Sequence, residues 1–396
     1  QIINPMQTIL LFNMFYIKNL SYLFILLLVG AGAIVGWGQS QYSSEGPLED
    51  AMCLRVPLGG SMALVSRDLE AKGAVSNGRI FRIGADYADK SQQLKAGSFL
   101  VPAGASMAEI VDIVTRGGQN TCGTEVVYRI GVTSRSAVVR ELDPATNAYV
   151  ETAKFTPGVD EAPQVYVEAR DDRDVRYRVA VAEGATSWQI ADSLRALDVL
   201  EGEIEATPPE GSLAPDSYEV KPGDLRTDVV ARMTAAQEKI LAEAWEARDP
   251  SVPLKTPEEA LILASIIEKE TGIAEERRQV ASVFTNRLRQ GMKLQTDPAV
   301  IYGITRGEGV LGRGLRRSEL DRETPYNTYA IPGLTPTPIA NPGRLAIEAA
   351  LNPDETPYIF FVADGTGGHA FAVTIQEHNK NVAEWRKIEA ARKAEN

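Results

Sequence analysis

The chain has 396 residues, 44% of them hydrophobic, so it is long enough for two or three domains with apolar cores. Its formal net charge of −12 argues against a nucleic-acid partner, because contacts with phosphates need a basic face. With only two histidines and no His-Glu-x-x-His motif, the sequence predicts no metal site and no cofactor.

The first predicted element is an apolar transmembrane helix over residues 20–38. This stretch carries no charge and is long enough to cross a bilayer. Lys18 precedes it and three acidic residues follow within positions 45–50, a bias that predicts a single-pass inner-membrane protein with its bulk in the periplasm. Residues 1–19 are then a short cytoplasmic N-terminus or an upstream extension. A cleaved signal peptide is the alternative interpretation.

Three later segments share one pattern, in which a strand-like run and a glycine precede a serine or threonine and helical apolar spacing. They are 54–61 leading to Leu69, 99–106 leading to Val114, and 177–186 leading to Leu197. Each predicts a strand, a turn and a capped helix. These units resemble LysM-like modules, so residues 50–205 are predicted to form a LysM-like module. Glycan binding and plain packing remain equally open, because no aromatic stripe for sugar stacking stands out.

Between the second and third units, about residues 119–176, the chain predicts a β-rich insert. Its strand-like runs are 126–130, 148–152 and 164–168.

The only two cysteines, Cys53 and Cys122, would lie in an exported compartment that permits disulfides. The sequence leaves a bridge and two buried thiols open, because it does not give their separation. We predict the bridge, which would tie the first unit to the end of the second.

A helix apolar on nearly every side follows the module. Thr256 is its predicted N-cap, Pro257 its first residue and Glu259 a capping-box glutamate. Residues 260–267 are almost entirely apolar, so we expect this helix to be buried all round. Gly272 is the expected C′ residue.

Two carboxylates, Glu268 and Glu270, fall in the last turn of this helix. The negative end of the helix dipole and desolvation would both raise the pKa of a carboxyl group there. The two side chains point to roughly opposite sides, and the helix alone does not choose between them. Solvated charges at a frayed helix end are the alternative interpretation.

The rest of the chain predicts a helix over 275–290, a long Gly- and Pro-rich loop over 293–338, and a helix starting at Asn341-Pro342. Strands at 358–362 and 369–373 should form a hairpin around residues 364–368, and a charged helix should close the chain.

Five segments in fixed order resemble the endolytic murein transglycosylases, the MltG or YceG-like family. They are Ala264–Thr271, Arg278–Leu288, Leu294–Gly303, Tyr326–Tyr329 and Phe361–His369. The resemblance runs from about residue 211 to about residue 385, and a transglycosylase catalytic domain is predicted over 206–396. In that family the catalytic acid is the glutamate followed by threonine, so the resemblance implies Glu270 rather than Glu268.

The resemblance implies a lyase that cleaves the bond between N-acetylmuramic acid and N-acetylglucosamine within nascent peptidoglycan and leaves 1,6-anhydromuramoyl ends. The expected partners are glycan strands, the inner membrane and peptidoglycan synthases. The expected fold is α+β, with a transmembrane helix, LysM-like α/β units carrying a β-rich insert, and a mixed helix and hairpin catalytic domain. The alternative is a non-catalytic, membrane-anchored peptidoglycan-binding scaffold.

Charge that develops on the sugar ring needs polar groups held around it. The candidate substrate-binding residues are Gln295, Tyr302, Tyr326, Asn327 and His369. The first four have the alternative role of loop anchors, and His369 that of an ordinary strand residue. Asp297 precedes a proline and is the expected cap of a helix. Thr271 either holds Glu270 through a hydrogen bond or only closes its helix.

Overall fold

The computed structural model describes residues 5–116, 122–172 and 174–395, with side chains for Tyr22 and for Phe24 to Arg392 within those ranges. The described chain forms two compact units. The first unit runs to residue 124 and includes 141–150 and 172–175, and the second comprises 125–140, 151–171 and the chain from residue 176 onward. The predicted boundary near residue 205 differs from this division and stays a prediction.

The N-terminal element is a single helix, α1 (Pro5–Ser43). It contains the predicted span of residues 20–38, and its segment Phe24–Ser43 is long and apolar enough to cross a membrane. At 1.5 Å per residue, 39 residues extend about 58 Å, roughly twice the hydrocarbon thickness of a bilayer. The apolar helix is therefore compatible with a membrane anchor and continues beyond the predicted span.

The first unit contains two of the three predicted strand and capped-helix segments. Its elements are β1 (Met52–Val56), α2 (Met62–Ala71), α3 (Gly78–Tyr87), β2 (Gly97–Val101) and α4 (Met107–Thr115). Strands β1 and β2 pair antiparallel, and Ser61 and Ser106 cap α2 and α4 through their side chains, as predicted. The pattern did not predict α3, although Phe81 of that helix is fully buried in the core of the unit.

Cys53 and Cys122 form a disulfide, with their Cα atoms 5.6 Å apart, which confirms the predicted bridge. Cys53 lies in β1, and the backbone N–H of Cys122 donates to the carbonyl of Ser98 in β2. The bridge therefore joins residues 69 positions apart within the first unit.

A five-stranded sheet holds most of the predicted β-rich insert. Its strands are β3 (Thr124–Ile130), β4 (Arg135–Asp143), β5 (Ala148–Phe155), β6 (Arg176–Val181) and β7 (Ser217–Val220), in the order β5-β4-β3-β6-β7. Strand β6 belongs to the third predicted strand and capped-helix segment, and it pairs in parallel with β3. The insert is thus part of a shared sheet and not a separate β element.

One predicted strand of the insert, residues 164–168, is wrong. This segment is the helix α5 (Gln164–Asp171), which follows Pro163. Tyr166 and Ala169, three positions apart, are buried, whereas Val165 and Val167 are exposed. The buried face therefore follows the helical period, and the apparent alternation of the sequence was misleading.

The helical core of the second unit surrounds α8 (Pro257–Glu270). The other elements are α6 (Ser187–Arg195), α7 (Arg226–Glu246), a 3-10 turn (Ala274–Glu276), α9 (Arg277–Arg289), α10 (Asp297–Thr305), α11 (Arg317–Leu320), α12 (Arg344–Leu351), β8 (Phe360–Ala363), β9 (His369–Ala372) and α13 (Ile375–Glu395). Residues 262–267 of α8 are all buried, as its apolar sequence predicts. The last turn of α8, residues 268–270, is half-buried.

Two predictions about the end of the chain are confirmed and two are corrected. β8 and β9 form the predicted antiparallel hairpin, and α13 is the predicted final helix. The segment 293–338 is not a structureless loop, because it contains α10 and α11. α12 begins at Arg344 with Gly343 as N-cap, whereas the predicted start, Asn341, is fully buried before the helix.

Candidate active site

Capping residues define both ends of α8. The Thr256 hydroxyl accepts from the backbone N–H of Glu259, and Pro257 occupies the first turn, as predicted. The capping box does not form, because the Glu259 carboxylate accepts from the backbone N–H of Lys255 instead of Thr256. At the other end Thr271 is the C-cap with extended backbone, and Gly272 follows it without a positive φ.

Thr271 closes the helix and does not hold the glutamate before it. Its backbone N–H donates to the carbonyl of Ile267, and its hydroxyl accepts from the backbone N–H of Ile273. Glu270 is consequently the last helical residue, and the backbone becomes extended at Thr271.

Glu270 has the electrostatic surroundings of a carboxylic acid that keeps its proton near neutral pH. Desolvation raises its pKa from 4.5 to about 7, and the negative charge of Asp297 acts in the same direction. The hydroxyl of Thr296 opposes this rise, and so do the electrostatic effects of His369 and Arg287 on the Glu270 carboxylate. A carboxyl group in this condition can both donate and accept a proton at neutral pH.

Two groups near Glu270, Thr296 and Arg287, are residues that the sequence analysis did not single out, although both lie in segments that carry the family resemblance. Thr296 is buried, and its hydroxyl lies near enough to Glu270 to lower the pKa without meeting the geometry of a regular hydrogen bond. The guanidinium of Arg287 donates to the carbonyls of Ile359 and Leu294 at 2.7 and 2.6 Å. A buried arginine held by backbone carbonyls supplies a fixed positive charge to the site.

Glu268 has a different environment, although desolvation raises its pKa too. One of its carboxylate oxygens accepts from the backbone N–H of Gly343 at 2.9 Å, and the other lies 3.7 Å from Arg277. These contacts hold Glu268 at the start of α12. Glu268 is thus engaged in structural contacts, whereas Glu270 borders a pocket.

A pocket of about 190 Å³ lies at the end of α8. Its lining is Glu270, Thr271, Gly272, Ala363, Gly365, Gly367, Gly368, His369, Trp385 and Arg392. Arg392 of α13 donates to the carbonyl of Gly365 in the hairpin turn. Gly365 has φ +88°, and a Cβ there would come within 2.9 Å of Ile388, so only glycine lets α13 pack this closely on the turn.

Of the predicted site residues, the structure brings His369 to the same pocket as Glu270. Gln295 lies next to Thr296 with an exposed side chain and φ +52°, an uncommon conformation for a residue other than glycine. Asp297 is the first residue of α10, not its cap, and it accepts from the hydroxyl of Tyr329 at 2.7 Å.

The side chain of Asn327 serves as a loop anchor. It is fully buried, its Nδ2 donates to three backbone carbonyls of residues 319, 320 and 322, and its Oδ1 accepts from the backbone N–H of Tyr329. These bonds occupy the amide, so the loop role left open by the sequence is the one that the geometry favours.

Tyr302 and Tyr326 pack on each other, with ring centroids 5.2 Å apart, and Tyr326 contributes to the core around α8. The hydroxyl of Tyr302 hydrogen-bonds Glu210, and that of Tyr326 lies 2.8 Å from Thr337 Oγ1. Neither ring is among the described residues that line the Glu270 pocket.

Comparison with known proteins gives consistent matches. The YceG-like family model matches residues 54–384. The chain is 28% identical over 327 residues to the endolytic murein transglycosylase of Bacillus subtilis, covering 83% of this chain and 82% of that protein. It is 27% identical over 382 residues to that of Streptococcus pneumoniae serotype 2, covering 92% of this chain but 64% of the relative.

A crystal structure of a yceG-like protein from Listeria monocytogenes is 26% identical and covers 84% of this chain and 99% of that one, with a TM-score of 0.44. The family model itself spans most of the chain, from β1 to α13. The chain therefore belongs to the YceG-like family.

Proposed function

We propose that this protein is a lytic transglycosylase that cleaves the bond between N-acetylmuramic acid and N-acetylglucosamine inside peptidoglycan strands and so terminates glycan elongation. The observation that carries the proposal is Glu270, whose pKa is raised to about 7 beside a pocket. The endolytic murein transglycosylases among its relatives support the same activity.

In the proposed mechanism one carboxyl group acts twice. Protonated Glu270 donates its proton to the oxygen of the glycosidic bond. This bond then breaks and releases N-acetylglucosamine with a free hydroxyl. The resulting carboxylate then takes the proton of the muramoyl 6-hydroxyl as the 6-oxygen bonds to the anomeric carbon of the same muramoyl residue. No water is consumed, and Glu270 regains its proton. The attack has a small entropic cost, because the nucleophile and the electrophile belong to the same sugar residue.

For substrate contacts we propose His369 and Gln295. His369 lines the Glu270 pocket, and Gln295 presents an exposed amide next to Thr296. Tyr302 and Tyr326 are proposed to support the loop that carries the site, because their hydroxyls engage Glu210 and Thr337. The fully buried Asn327 fits the same supporting role.

Digestion of purified sacculi tests the proposed activity. We expect mass spectrometry to detect 1,6-anhydromuramoyl ends, because the muramoyl hydroxyl replaces water as nucleophile. The first step needs the protonated acid, so the initial rate should fall as the pH rises through about 7. A non-catalytic scaffold would bind sacculi and produce no anhydro ends. Products with reducing muramic acid ends would indicate hydrolysis and contradict the proposal.

We propose further that α1 anchors the protein in the inner membrane, with the part after it in the periplasm. The support is the apolar segment Phe24–Ser43 of α1 and the acidic residues that follow it. N-terminal sequencing of the membrane fraction is expected to find α1 intact. A mature end near Gln39 would mean signal cleavage instead.

Residues 50–205 are the proposed LysM-like module. Its support is the repeated strand, turn and capped helix at Ser61, Ser106 and Thr186. Within the proposed function this module would hold the glycan strand, while residues 206–396 carry the chemistry.

A further inference from the structure

A carboxylate that the mechanism does not use, Glu276, holds His369 by two hydrogen bonds. Its Oε1 accepts from the backbone N–H of His369 at 3.0 Å, and its Oε2 lies 2.8 Å from Nδ1 of the same residue. Both side chains are largely buried, with 19% of Glu276 and 13% of His369 exposed. A carboxylate only accepts, so Nδ1 is the donor of this pair.

The backbone at Gly368 and His369 allows the Glu276 side chain to approach closely. Glu276 ends the 3-10 turn that follows α8, and His369 begins β9. A Cβ on the neighbouring Gly368 would lie 2.5 Å from the Glu276 carboxylate, which only a glycine avoids. On its other sides the His369 ring meets Phe361 edge to face at 5.2 Å and Phe371 at 6.3 Å. The ring therefore has one orientation and one polar neighbour at Nδ1.

The other ring nitrogen, Nε2, remains for a ligand in the pocket that His369 shares with Glu270. In a neutral imidazole whose Nδ1 carries the proton, Nε2 is an acceptor. A glycan presents hydroxyl groups, which are donors that match such an acceptor. The hydrogen bond at one ring nitrogen thus determines what the other can bind.

We propose that Glu276 is a positioning residue, which fixes His369 with the proton on Nδ1 so that Nε2 accepts a hydrogen bond from a sugar hydroxyl beside Glu270. This inference rests on the proposed transglycosylase function for its substrate. The state of the His369 ring itself is independent of that function.

The test compares Glu276→Gln with Glu275→Gln, an exposed neighbour on the same turn. The Glu276→Gln substitution keeps the shape of the side chain but presents an amide N–H₂ to Nδ1, which favours the proton on Nε2. Nitrogen NMR shifts distinguish the two tautomers, and His369→Gln assigns the signals because the chain has only two histidines. We expect the neutral ring to carry its proton on Nδ1 in the wild type and Glu275→Gln, and on Nε2 in Glu276→Gln.

The rate of anhydro-end formation should fall about tenfold or more in Glu276→Gln and stay unchanged in Glu275→Gln, consistent with loss of one well-oriented hydrogen bond. Glu276→Asp keeps the carboxylate and should restore part of the rate. A wild-type ring with its proton on Nε2, or a Glu276→Gln variant that switches tautomer at full rate, would overturn the proposal. If the wild type makes no anhydro ends, the proposed function fails while the tautomer result still stands.

Discussion

Replacing Glu270 by glutamine is expected to abolish the formation of anhydromuramoyl ends, whereas Glu268→Gln should keep substantial activity. Glutamine matches the shape of the acid but has no transferable proton, and general acid and base catalysis contributes about 10²- to 10⁴-fold to a rate. Glu268 contacts the backbone N–H of Gly343, a bond that a glutamine oxygen can also accept. Sacculus digestion followed by mass spectrometry measures both variants.

The two substitutions form an internal control, because both remove a carboxylate with a raised pKa from the last turn of α8. If the helix end merely tolerated charges, the two variants would behave alike. A dead Glu268→Gln enzyme, or a Glu270→Gln enzyme at the wild-type rate, would show that the acid has been misassigned.

The stability of the Glu270→Gln variant shows whether a loss of activity comes from lost chemistry or from a damaged fold. The pKa of Glu270 is raised by folding from 4.5 to about 7, so the native state binds the proton more tightly than the unfolded chain. Its contribution to stability is therefore lost as the pH rises from 4.5 to 7. A neutral glutamine has no such loss, so at pH 8 the free energy of unfolding of the variant should exceed that of the wild type by about 3 kcal/mol at most. Thermal unfolding at pH 8 should therefore occur at a higher temperature in the variant.

Removal of the Cys53–Cys122 bridge is expected to destabilise the first unit by about 4 kcal/mol, because the bond closes a loop of 69 residues. A Cys53→Ser, Cys122→Ser double variant should unfold at lower temperature than the oxidised wild type. Reductant should lower the transition of the wild type towards that of the variant and leave the variant unchanged. Thermal unfolding followed by circular dichroism measures these differences.

Thiol labelling provides the control for the bridge. The unreduced wild type, once denatured, should react with no thiol reagent, and prior reduction should expose two reactive thiols. Two reactive thiols without reduction would contradict the bridge. Equal unfolding temperatures for the oxidised and reduced wild type would show that the bond does not stabilise the unit.

The sequence could predict those features of the fold that depend on residues within one segment. Thr256 and Pro257 determine the start of α8 by their own side chains, and the apolar run after them implies burial whatever its neighbours are. The sequence does not predict the helix at 164–168, because Val165 and Val167 look like one face of a strand. Only the burial of Tyr166 together with Ala169, three residues later, shows the helical period.

The candidate site was predictable in part for the same reason. Glu270 could be proposed from its own helix and from the family resemblance, because both are contained in a short segment. Glu276 gave no such signal, since its partner His369 is 93 residues away and the pair appears only when the hairpin meets the turn after α8. Likewise, nothing local to Thr296 indicates that its hydroxyl lies near the carboxyl of Glu270.

Asn341, which was expected to begin a helix, instead joins distant parts of the second unit. Its fully buried amide donates to the carbonyl of Ala185 and accepts from the backbone N–H of Leu213, across 156 and 128 residues of sequence. Neither bond can form before residue 341 has left the ribosome and, in an exported chain, crossed the membrane. Until then α8 has no partner on the face that α12 later covers. The contacts made by Asn341 therefore form late in folding. Before they form, the apolar helix α8 needs protection from aggregation.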